Sequence, residues 1–120
     1  MEIHQKDQIV ERLFIRFYRE YPSLEKFGDN GKRRTKEDIY YHFQYLETAY
    51  TLRELNIFKD YVIWLGEVLE TRGVGRHLLF INFAWLIEEI EKLEKTDEHD
   101  FYLEALKKGM QLLSEDDNLI

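Results

Sequence analysis

Apolar positions recur along this chain with the three-and-four spacing of helices, broken by a few polar or glycine-containing stretches. Between residues 3 and 20, Ile9, Val10, Leu13, Phe14, Phe17 and Tyr18 fall on one stripe. Tyr21-Pro22 ends that helix, because a residue before proline is pushed out of helical conformation. Ser23 to Phe27 fits one helical turn closed by Gly28, and Gly28-Asp29-Asn30-Gly31 reads as a loop, since Gly, Asn and Asp tolerate positive φ. Thr35 is the expected N-cap of a second helix, with Glu37 and Asp38 in its first turn, where the helix dipole favours acids. That helix runs to about Leu55 with Ile39, His42, Phe43, Leu46, Ala49 and Tyr50 inward, and Asn56 is its expected stop.

A third helix over 57–72 turns Phe58, Tyr61, Val62, Leu65 and Leu69 to one side, with Trp64 and Val68 on the flank. Arg72-Gly73-Val74 reads as its end: glycine for a left-handed position, valine for the apolar contact that follows, arginine against the negative end of the dipole. From about Arg76 to Lys95 the pattern changes. Nine of the ten residues from Leu78 to Ile87 are apolar, so this helix has no face to offer water and is expected to sit inside the fold. The run is too short to span a bilayer, which takes ~20 residues. Its Asn82 is a check on that placement, because a buried amide without partners costs ~1–3 kcal/mol. Thr96-Asp97-Glu98 caps a last helix with Tyr102, Leu106, Met110 and Leu113 inward. The expected fold is all-α: one five-helix domain over 1–113, a bundle or a globin-like packing around the central apolar helix, followed by a flexible acidic tail over 114–120.

Composition narrows the function classes. The net charge of −7 argues against nucleic acid and against an anionic membrane surface as partners. Without cysteine there is no thiolate nucleophile and no Cys-ligated metal. The first residues lack the basic flank and apolar core of a signal peptide, which makes the cytoplasm the expected compartment. Gly31-Lys32 is followed by Arg33, so no phosphate loop forms, and the Lys32-Arg33-Arg34 run is read as a solvated loop. No Glu has a His three residues later, as a carboxylate di-iron bundle requires. His99, between Glu98 and Asp100, is at most a weak divalent-ion ligand. The Ser and Thr residues lie outside any nucleophile motif, and several sit where helix caps are expected. A non-enzymatic role without a cofactor is the resulting expectation.

One constellation carries a binding hypothesis. Asp38 and His42 are four apart, neighbours on a helix, so the carboxylate can orient the imidazole. With Phe43, Tyr45, Tyr50, Tyr61 and Trp64 as aromatic walls, this describes a pocket for an apolar ligand or a tetrapyrrole with His42 as axial ligand. The competing reading is a structural histidine paired to Asp38 among ordinary core aromatics. His77 is the other possible ligand, at a position that suits capping or exposure.

The segments Asp38-x-x-Tyr41-His42-x-x-Tyr45-Leu46-x-x-Ala49 and Phe58-x-x-Tyr61-Val62-x-Trp64-Leu65-x-x-x-Leu69-x-x-Arg72-Gly73-Val74 together resemble small bacterial helical regulatory modules, among them haem-less globin-like sensor domains. The resemblance spans residues 31–76. It implies a regulatory or sensor domain that acts by protein–protein interaction, often as a homodimer, with an apolar small molecule as an alternative ligand. From the residues' own pattern, Leu79, Phe83 and Leu86 of the apolar helix are the expected interface, and Asp38, His42, Phe43, Tyr61 and Trp64 the expected ligand-binding residues.

Overall fold

The structure, a computed structural model, describes residues 1–118, with side chains through Ser114; the end of the acidic tail, residues 119–120, lies outside the described residues. The described chain is all-α, with five α-helices, one short 3₁₀ helix and no strand. It falls into two compact units, Met1–Gln44 and Tyr45–Ile120.

In the first unit, α1 spans Ile3–Glu20 and buries Ile9, Val10, Leu13 and Phe17. The Glu2 carboxylate caps it by accepting from the His4 and Gln5 amides at 3.0 and 3.3 Å. Pro22 opens the 3₁₀ helix Pro22–Phe27. The next helix, α2, spans Gly28–Leu52 and starts seven residues before the expected Thr35 cap. The two glycines that suggested a loop serve different purposes. Gly28, at φ +67°, makes the corner that only glycine turns without strain. Gly31 lies within the helix, where a Cβ would collide with Cβ of Phe27. Thr35 is therefore a helix-interior residue, and its Oγ1 donates to the Gly31 carbonyl at 2.9 Å. The basic run is helical too: Lys32 pairs with Glu25 at 3.1 Å and Arg33 with Glu37 at 2.8 Å. Glu11–Lys36 at 3.1 Å and the Tyr40 hydroxyl donating to Asp7 at 2.6 Å tie α1 to this part of α2.

In the second unit, α2 ends at Leu52 rather than near Leu55. Arg53 takes the left-handed conformation at φ +54°, its amide bonds the Tyr50 carbonyl, and the Glu54 amide reaches back to Ala49 at 2.9 Å. That is a Schellman end built without glycine. The third helix, α3, spans Leu55–Thr71, so the break precedes Asn56. It closes as the sequence predicts: Gly73 sits at φ +78°, its amide bonds Glu70, and the Val74 amide bonds Leu69 at 2.9 Å. The apolar helix, α4, spans Arg76–Glu91, and eight of its sixteen residues are buried, a larger share than in any other helix. The last, α5, spans Asp97–Asn118, with the His99 amide capped by Thr96 Oγ1 at 3.0 Å. It packs against both α3 and α4, which touch each other over a short stretch only. Gly109 makes this close approach possible, because a Cβ there would lie 3.0 Å from the Phe83 ring and 3.2 Å from Val62.

Candidate functional site

A run of aromatic rings leads from the core of the second unit to its surface. Phe83 of α4 and Phe58 of α3 lie at 5.6 Å between centroids, and Phe58 and Tyr61 at 5.7 Å. Tyr45, from the end of α2, stacks face to face on Tyr61 at 4.1 Å and 13°. Tyr61 then meets Trp64 at 6.4 Å. Burial falls along this path, from 0% exposure at Phe83 to 4% at Tyr61 and 55% at Trp64. Helical spacing accounts for the gradient: Phe58, Tyr61, Val62, Leu65 and Leu69 form the inward stripe, and Trp64 stands at its edge. Ile63, 45% exposed, lies beside Trp64 on the outside. Asp60 and Glu67, one turn either side of Trp64, are exposed and carry no ion pair among the described residues.

The tryptophan expected to wall a pocket is thus a surface residue. Tyr61 is buried and touches it, so the structure brings these two together but as a layered surface. The other three expected ligand-binding residues lie on the part of α2 that belongs to the first unit. Asp38 is half-buried, and His42 and Phe43 are 0% and 1% exposed. Complete burial lowers the His42 pKa from its usual 6.5 to about 3, because the interior disfavours the imidazolium. His42 is therefore a neutral imidazole at pH 7.

Leu79, Phe83 and Leu86, expected to face a second chain, are 2%, 0% and 0% exposed within one copy. They are core residues, and a homodimer cannot use them without opening the fold. The apolar run fixes that they are buried but not by what. Asn82, between them, is 7% exposed, and its Oδ1 is buried and accepts no hydrogen bond from the described residues. His99 is buried as well, and its Nδ1 donates to the Glu94 carbonyl at 2.7 Å, which fixes the turn between α4 and α5. That bond, with its capped amide, gives it a structural part. His77 is exposed.

Among the described residues no three His, Asp or Glu side chains converge as metal ligands do. No described helix is long and apolar enough to cross a membrane. An open hollow along α5, lined by Asp100, Leu103, Glu104, Lys107, Lys108 and Gln111, gathers none of the expected site residues. Comparison with protein-family models, with curated proteins and with solved structures finds no match.

Sequence reasoning placed Trp64 on the flank of α3 but missed Ile63, Asp60 and Glu67. The usable signal was an apolar excess: Ile63 and Trp64 lie off the inward stripe, and that stripe already suffices to hold the helix down.

Proposed function

We propose that this chain is a non-enzymatic regulatory domain that works by binding another protein through the outer face of α3. One observation supports the reading above the rest: Ile63 and Trp64, consecutive in sequence, are both about half exposed on a helix already anchored by six buried residues. Exposed single apolar residues are common, but tryptophan is among the residue types most enriched at interaction hot spots, and here an exposed isoleucine adjoins it in sequence. The Tyr61–Tyr45 stack behind Trp64 restrains that side of the indole, so less side-chain freedom is lost on docking. The sequence adds that no nucleophile motif is present. The interface expected on α4 moves to α3 on this reading, and homodimerisation is one form the interaction can take.

A photo-crosslinking amino acid in place of Ile63, compared with one in place of exposed Glu104 on α5, tests this in cells of the native host. The expected result is a discrete protein adduct from position 63 and none from position 104. Equal, diffuse labelling from both positions would contradict the reading.

A further inference from the structure

The charge around the α3 face says what kind of partner fits it. The exposed positions of α3 are Asn56, Asp60, Ile63, Trp64, Glu67, Glu70 and Thr71, none of them basic; the helix's one basic residue, Lys59, is half-buried and next to Asp60 in sequence. Asp60 and Glu67 bracket the Trp64–Ile63 pair, four residues before and three after the tryptophan, on the same side of the helix. Neither acid is neutralised by an ion pair among the described residues. Glu70, also exposed on α3, is by contrast paired with Arg76 at 2.8 Å.

The larger charge distribution points the same way. The second unit, Tyr45–Ile120, holds sixteen Asp and Glu against eight Lys and Arg, while the first, Met1–Gln44, holds eight against nine. The acidic excess of the chain lies wholly in the unit that carries the aromatic face. Two copies of this face meeting about a two-fold axis would set Asp60 and Glu67 against acids of the same kind, and like charges across an interface disfavour that pairing.

We infer that the α3 face docks a basic, amphipathic helical segment of a different protein. One apolar side chain of the partner covers Trp64 and Ile63, and Lys or Arg side chains one turn to either side meet Asp60 and Glu67. The inference rests on the interaction reading above and adds the chemistry of the partner to it. Trp64 supplies the anchor, and the two acids supply orientation and a faster encounter.

Titration calorimetry of the full chain tests it, with a synthetic helical peptide of about 18 residues as the probe, leucine at helical spacing on one face and lysine elsewhere. A second peptide carries glutamate in place of every lysine. The expected result is saturable one-to-one binding of the lysine peptide at about 50 mM salt, lost with Trp64→Ala. The double variant Asp60→Asn, Glu67→Gln weakens it by roughly fivefold or more. Glu91→Gln with Glu94→Gln, two exposed acids away from α3, makes the same change in net charge and leaves binding unaltered. All substituted residues are exposed, and a thermal melt of each variant confirms that it folds.

The inference is overturned if the lysine peptide does not bind, or if the glutamate peptide binds equally well. It is also overturned if both double variants weaken binding alike, which marks general attraction to an acidic protein, or if light scattering shows a Trp64-dependent homodimer. Those outcomes leave the interaction reading standing. That reading itself falls if Trp64→Ala leaves peptide binding intact and position 63 gives no cellular adduct.

Discussion

Acidification should destabilise this protein through His42 before its carboxylates titrate. The side chain is wholly buried, and burial lowers its pKa from 6.5 to about 3. In the unfolded chain the same imidazole takes up a proton as the pH falls below about 6.5. The unfolded state therefore binds more protons than the native state between those two values, and stability falls as pH falls through that window. Above pH 6.5 the contribution is fully present, and below about pH 3 no further loss accrues. Each pH unit inside the window is worth roughly 1.4 kcal/mol, so the step from pH 7 to pH 5 removes about 2 kcal/mol. That range stops short of most carboxylate titration, with reference pKa values of about 4. Urea denaturation at pH 7, 6 and 5 reads the effect, with His42→Gln as the reference that cannot protonate. If the glutamine variant folds poorly, His42→Leu serves instead, because the slope against pH is the observable. The wild type should lose about 2 kcal/mol more than the variant over this range. Parallel pH profiles would refute the burial argument and show that His42 takes up a proton from solvent in the folded protein, for instance as an imidazolium stabilised by the carboxylate of Asp38 one turn away.

Other predictions concern packing and backbone. Gly109→Ala should lower stability by about 1 kcal/mol in denaturant titration, because the new methyl meets the enclosed ring of Phe83 at 3.0 Å, whereas Gly66→Ala meets nothing nearer than 3.5 Å and should raise stability by up to about 1 kcal/mol. Arg53→Gly should gain roughly 0.5–1 kcal/mol: relief of the left-handed backbone outweighs loss of the guanidinium over the Tyr50 ring at 4.5 Å. Asn82→Leu should raise the melting temperature, since it removes a buried acceptor without a partner among the described residues and is worth about 1 kcal/mol; a lowered melting point would show that the amide is satisfied.

What the sequence made legible was local. The α1 stripe, the stop at Tyr21-Pro22, the Gly73 end of α3 and the Thr96 cap of α5 each depend on residues within one or two turns, and each is found in the structure. The Leu78–Ile87 run required burial; six of its ten residues are buried, while Leu78, Phe80, Ile81 and Ala84 are half-buried, so one side of the helix still meets water in part. The failures depend on neighbours distant in space or on a choice between equal local options. Gly31 looked like a loop glycine because its reason, room against Phe27, belongs to packing. Arg53 gave no sign that it would take a position glycine usually fills. Leu79, Phe83 and Leu86 suit an interface as well as a core in sequence, because an apolar helix does not say whether its own chain or another covers it. For the candidate site, the aromatic cluster on α3 was visible, but its direction was not: a rotation of about 60° around the helix separates buried Tyr61 from exposed Trp64.

Hydroxyl-radical footprinting in cells of the native host, compared with the purified chain, tests the central claim most directly. The purified chain should oxidise readily at Trp64, 55% exposed, and slowly at Trp85, 9% exposed. In cells the account predicts that Trp64 is protected several-fold while exposed Tyr41 keeps its reactivity. Trp64 oxidising in cells as fast as in the purified chain would contradict a bound partner on the outer face of α3.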